Sequence, residues 1–162
     1  MSRTDGRTTE RIDTEIAVVG GGVVGSATAW ALARSGRSVV LLEAHRPAHT
    51  LGASHASTRN FNPTYAEPTY LRLLGRALRL WRELEAESGQ VLLEQTGIVN
   101  RGLVPDVVQL KENAPAAGFT VETVPAAEAA HRWPGMRFAT AATHLPDGGR
   151  LYAERAVLAL HT

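Results

Sequence analysis

Four apolar residues, Ile16–Val19, run straight into Gly20, Gly21 and Gly22, and Gly25 completes a G-x-G-x-x-G pattern. No other feature of the 162-residue chain limits its fold so tightly. A short valine-rich run of this kind reads as a strand buried on both faces. The glycines after it demand a turn too tight for side chains. The first permits the turn, the second lets a pyrophosphate approach the backbone, and the third lets the following helix pack against the strand. Residues 26–34, rich in alanine, predict that helix, and Gly36 is placed to close it. Val39–Leu42 follows as a second apolar run of strand length and ends at the acidic Glu43. Strand, helix and strand in this order make a βαβ unit of the α/β class. The helix N-terminus offers free N–H groups and a positive dipole end to a phosphate, so Gly20, Gly22 and Gly25 are candidate dinucleotide-binding residues. Glu43 stands where a carboxylate accepts hydrogen bonds from ribose hydroxyls, which makes NADP the least suitable dinucleotide. Periodicity does not separate FAD from NAD.

The remainder reads as ordinary globular sequence. With 44% hydrophobic residues, a chain of this length can bury a real core without staples, and the absence of cysteine excludes disulfide-bonded and cysteine-based zinc scaffolds. The formal net charge of +1 leaves no electrostatic excess to hold nucleic acid. Residues 1–14 read as a disordered polar arm with no hydrophobic centre for a secretory signal, which favours a cytoplasmic address. Glycines and polar residues interrupt the longest apolar stretch, so no membrane span is expected. Residues 45–63 carry Pro, Gly, Ser, Thr and three of the six histidines and read as a long irregular loop. Leu71, Leu74, Leu78, Trp81 and Leu84 recur at helical spacing, which predicts one amphipathic helix over 69–88 with this stripe in the core. Strands are expected at 91–93, Ile98–Asn100, 119–124 and 140–144, and helical turns at Val107–Asn113 and 126–131. Residues 150–160 read as an amphipathic helix with no cap and no return to a sheet, as though the chain stopped before a missing remainder. His45 and His49 have ligand-like spacing, but Pro47 keeps them off one helical face and Glu43 is already assigned, so no metal site is expected.

Resemblance separates the dinucleotides. Gly25, Ala29, Leu32 and Gly36 extend the glycine motif as in FAD-binding oxidoreductases. The run Gly52-Ala53-Ser54-His55 followed by Ser57-Thr58-Arg59 resembles the G-S-S-H-x-x-S/T-R loop of the sarcosine oxidase and N-methyltryptophan oxidase group, within the D-amino-acid oxidase-like flavoproteins. Tyr65-Ala66-Glu67, Leu80-Trp81 with Glu83-Leu84-Glu85, Thr96-Gly97 with Gly102, and Arg132-Trp133-Pro134-Gly135 add to the likeness, which covers nearly all of residues 14–160. It implies an α/β fold: a Rossmann-type FAD-binding βαβ unit with flavin loop at 15–60, part of a second α+β substrate domain at 61–145, and a truncated return helix at 146–162. The C-terminal half of such an enzyme is expected to lie beyond this sequence.

The resemblance also implies site residues. FAD would lie against Gly20, Gly22, Val23, Val24 and Gly25, with Glu43 and Ala44 at the ribose and Ser54, Thr58 and Arg59 at the flavin. His55 and Arg59 fall near the reacting face and Tyr65 near the substrate. A fixed guanidinium at Arg59 would stabilise an anionic reduced flavin; without the resemblance, an arginine paired with a loop carboxylate is the plainer reading. Asn62, followed by Pro63, stands where relatives carry an arginine that helps hold the substrate carboxylate, and an amide cannot supply that fork. Sarcosine itself is therefore disfavoured, and another secondary amine or amino acid is the expected small-molecule substrate. The expected chemistry is hydride transfer from the carbon beside the substrate nitrogen, giving an imine that water hydrolyses. Two alternatives remain open on the sequence: an NAD-dependent dehydrogenase built on the same βαβ unit, and a truncated, non-catalytic nucleotide-binding fragment.

Overall fold

The computed structural model describes residues 11–102, 104 and 106–161; the first ten residues of the expected polar arm lie outside the described residues. Strand β1 (Ile16–Val19), helix α1 (Val23–Arg34) and strand β2 (Val39–Leu42) form the βαβ unit. β1 and β2 pair in parallel, from Ile16 opposite Val39 to Val19 opposite Leu42. α1 starts three residues earlier than expected, because Gly22 is extended and serves as its N-cap, so Gly25 falls inside the first turn. At the other end, the Gly36 N–H donates to the Ala33 carbonyl at 2.9 Å and the Arg37 N–H to the Leu32 carbonyl at 3.1 Å, the paired bonds of a glycine-closed helix. Burial on both faces of the strands does not hold. Ala17 and Val19 are exposed, Val19 at 82%, because one helix packs along a sheet of only two strands.

The rest of the chain forms β3 (Thr58–Phe61), α2 (Pro68–Ser88), β4 (Leu93–Glu94), β5 (Ile98–Asn100), α3 (Val107–Asn113), a 3-10 turn (Ala114–Ala117), β6 (Glu122–Val124), α4 (Ala126–Arg132), β7 (Ala142–Leu145), β8 (Gly149–Tyr152) and α5 (Ala153–Ala159). β8 lies between β3 and β4 in one antiparallel sheet, and β7 between β5 and β6 in another. Three expectations need correction. The presumed loop 45–63 contains β3, whose register sets Thr58 opposite Tyr152 and Phe61 opposite Gly149. The presumed helix 150–160 is strand β8 followed by α5, with Tyr152 as the N-cap of the helix. The strands expected at 91–93, 119–124 and 140–144 are shorter or shifted, running Leu93–Glu94, Glu122–Val124 and Ala142–Leu145. In each case the partner across the sheet, not local pattern, decides the ends.

α2 begins at Pro68, which suits the first helical position because that residue's N–H would have no partner inside the helix. Leu71 and Leu84 on its apolar face are buried, with Leu74, Leu78 and Trp81 partly so. The main core gathers Phe61, Leu71, Leu93, Leu110, Phe119 and Leu145. A second cluster places Leu84, Leu92 and Leu160 against Val23, Ala27 and Trp30, so α1 is anchored to α2 and to the end of the chain.

Candidate functional site

β1 ends at Val19, and the chain turns at Gly20, whose φ of +101° lies in the range that favours glycine. A Cβ at Gly25 would sit 1.9 Å from the Gly20 carbonyl oxygen, so the first turn of α1 closes on the loop only without a side chain there. No protein partner takes the N–H of Gly22, Val24 or Gly25 among the described residues. The start of α1 therefore presents three free donors on a surface with little side chain, with which an anion such as a pyrophosphate can be cradled.

Glu43 closes one side of this loop. Its Oε2 accepts from the Gly21 N–H at 2.7 Å and its Oε1 from the His45 N–H at 3.0 Å. These bonds, Gly21's first, hold the carboxyl below its ordinary pKa against the opposing effect of desolvation. The Ala44 N–H acts in the same direction, although the Ala44 side chain is exposed. His49 stands behind the carboxylate: its Nδ1 accepts from the Leu51 N–H at 3.0 Å, which leaves the ring proton on Nε2, 3.5 Å from Glu43 Oε1. The His45 ring meets the His49 ring edge-on at 4.8 Å. Among the described residues no group of three or more His, Asp or Glu is placed to hold a metal ion.

Ser54 closes the other side. Its Oγ accepts from the Val23 N–H at 2.9 Å, capping α1 from a loop 31 residues away. One residue earlier, the Ala53 carbonyl accepts from Arg59 Nη2 at 2.8 Å, while Arg59 Nη1 donates to the Thr58 carbonyl at 2.9 Å. The guanidinium thus binds backbone rather than a carboxylate, and its charge has no acidic partner among the described residues. His55 is exposed and donates from Nδ1 to the Gly52 carbonyl at 2.6 Å. Gly21, Gly22, His49, Gly52, Ser54 and Val157 are among the residues around a cavity of about 110 Å³ at the junction of loop and helix.

The structure therefore brings Glu43 and Ser54 onto the Gly20–Gly25 turn, through Gly21 and Val23, and sets Arg59 on the Ala53 carbonyl one residue before Ser54. Thr58 is exposed on β3, and Val24 is exposed at 77%. Tyr65 is not drawn in; its hydrogen bond and ring contact are with Pro63 and Tyr70. Asn62 closes a turn, its Oδ1 accepting from the Thr64 N–H at 3.0 Å. Gly21 and His49 were not legible as site residues. Gly21 stands at an unconstrained position of the motif, and its role depends on where β2 delivers Glu43. His49 lies in a segment without periodicity, and only its fold back onto Glu43 reveals it.

The family model described as FAD dependent oxidoreductase (DAO) matches residues 15–162. Peroxisomal sarcosine oxidase of Mus musculus is 32% identical over 147 residues, covering 88% of this chain and 38% of that protein. N-methyl-L-tryptophan oxidase of Yersinia pestis (strain Pestoides F) is 30% identical over 156 residues, covering 92% and 42%. Among solved structures, NikD, an unusual amino acid oxidase essential for nikkomycin biosynthesis, superposes with a TM-score of 0.69 at 26% identity, over 91% of this chain and 39% of that one. L-proline dehydrogenase from P. horikoshii shares the fold with a TM-score of 0.72 at 22% identity, over 91% and 40%. The chain thus spans about two-fifths of the length of the proteins it matches. On the family match, the glycine loop and the fold together, this chain belongs to the DAO family of FAD-dependent oxidoreductases.

Proposed function

We propose that the whole protein oxidises the C–N bond of a secondary amine or amino acid with FAD as electron acceptor. One observation carries the reading: Glu43 and Ser54 hydrogen-bond the start of α1 from two sides, and Arg59 holds the Ala53 carbonyl next to Ser54. The three free N–H groups at Gly22, Val24 and Gly25 fit the FAD pyrophosphate, with Gly20 and Val23 completing the turn. Glu43 and Ala44 would meet the adenosine ribose, since each carboxylate oxygen keeps a lone pair beyond its bond to backbone. Ser54, Thr58 and Arg59 would face the flavin. Bound FAD would supply the two-electron acceptor chemistry that converts an amine to an imine. Arg59, held by two carbonyls and unneutralised, would favour negative charge beside it, and His55 at the rim would meet the substrate side. Tyr65 belongs with the substrate. The names of the relatives, sarcosine oxidase and N-methyl-L-tryptophan oxidase, support an N-methylated amino acid or similar secondary amine.

The division into a flavin unit at 15–60, a substrate segment at 61–145 and a returning segment at 146–162, which holds β8 and α5, is part of the same proposal. So is a cytoplasmic location; no helix among the described residues is long and apolar enough to cross a membrane. The test is turnover by the flavin-loaded protein of a panel of N-methyl amino acids, L-proline and primary amino acids, with an artificial electron acceptor. Turnover of at least one secondary amine is expected. Failure with every amine, in protein that holds FAD, would overturn the substrate class.

A further inference from the structure

Ser26 follows the last glycine of the motif and is completely buried, yet it is polar. Its Oγ lies 2.9 Å from the Gly21 carbonyl oxygen and 2.8 Å from Nε2 of His161, 135 residues away. A hydroxyl has one proton, and a carbonyl can only accept. Ser26 therefore donates to Gly21, and His161 donates its Nε2–H to Ser26. The consequence reaches the site through peptide geometry. The Gly21 carbonyl and the Gly22 N–H are opposite ends of one planar trans peptide, so they point in opposite directions. Holding the carbonyl inward on Ser26 turns the Gly22 N–H outward, where no group of the described residues takes it. The Glu43 carboxylate holds the preceding peptide by the Gly21 N–H at 2.7 Å, so both planes flanking Gly21 are fixed from opposite sides.

We propose that Ser26 and His161 are positioning residues for the dinucleotide: they set the Gly22 N–H toward the pyrophosphate and tie that setting to the end of α5. The pair rests on the flavin reading above but adds a determinant that no part of the glycine motif contains. Without the His161 donor, Ser26 remains free to rotate its proton elsewhere, and the peptide between two glycines has little else to hold it.

The experiment is FAD titration, followed by flavin fluorescence, into the apo form of the flavoprotein that carries this chain. Proteins compared are the parent, Ser26→Ala, His161→Ala, His161→Gln and the double variant Ser26→Ala with His161→Ala. His161→Ala and Ser26→Ala are each expected to raise the FAD dissociation constant roughly tenfold, the scale of one lost hydrogen bond to a charged ligand. His161→Gln, whose amide N–H reaches the same place, is expected to stay within about threefold of the parent. The double variant is expected to bind no more weakly than Ser26→Ala alone, because the two residues act in series. Parent-like affinity in His161→Ala, or a His161→Gln as weak as His161→Ala, overturns the proposal. Absence of FAD binding in the parent would contradict the flavin reading instead, so the two failures are distinguishable.

Discussion

Glu43 illustrates how one side chain serves both fold and site. Its two oxygens hold Gly21 and His45 by their N–H groups, and the charge those bonds favour is the charge a ribose would meet. Because the folded carboxyl titrates below its ordinary value, its contribution is complete above the usual glutamate pKa of about 4.3 and is lost as the pH falls through the lower folded value. FAD is therefore expected to be retained as the pH falls through the ordinary glutamate range and released only below it, where the folded carboxyl takes up its proton. Flavin fluorescence during acid titration checks this. Glu43→Gln keeps an acceptor for Gly21 but removes the charge, so it is expected to bind FAD more weakly at neutral pH and to lack that acid-linked step. Parent-like acid release in Glu43→Gln would assign the step to other groups. At this scale the sequence was partly legible. Glycine spacing and the acid after β2 are local facts, whereas the pairing of Ser54 with Val23 depends on a loop folding back across 31 residues.

At the level of elements, α2 was readable because its apolar stripe repeats over 21 residues and its ends carry Pro68 and Gly89. β3 was not: Thr-Arg-Asn-Phe has no alternation, three of its four residues are exposed, and it is a strand because β8 arrives alongside it some ninety residues later. The same pairing explains the misreading of 150–160, whose first residues look helical in sequence but are captured by β3 and β4. The stripe of α2 makes a quantitative expectation. Leu84, 1% exposed, packs in the cluster that seats α1, and Leu84→Ala is expected to cost about 2–5 kcal/mol of unfolding free energy. Leu73→Ala, at a position 59% exposed on the same helix, is expected to change it by no more than about 0.5 kcal/mol. Urea denaturation of the two variants makes the comparison, and equal losses would mean that the stripe does not seat the helix.

The described residues form two antiparallel sheets and one parallel pair, and α1, packed on the parallel pair, meets α2 and Leu151 of β8 through the Leu84 cluster. Val19 and Val24 stay 82% and 77% exposed, and Leu42 47%, so the βαβ unit carries apolar surface that the described residues do not cover. The α/β class and the βαβ unit were legible because the glycine loop imposes its geometry locally, whereas the choice of FAD came from the resemblance carried by residues 52–59. The antiparallel sheets were not, because their registers join residues far apart in the chain. The glycine loop, on this reading, holds FAD as acceptor for electrons from an amine. The most direct measurement is the visible absorption spectrum of the protein carrying this chain, recorded anaerobically before and after addition of N-methyl-L-tryptophan, sarcosine and L-proline in turn. Flavin absorption that is bleached by at least one of these amines is expected. A protein that takes up no FAD, or that binds NAD in its place and shows no flavin absorption, would contradict that reading.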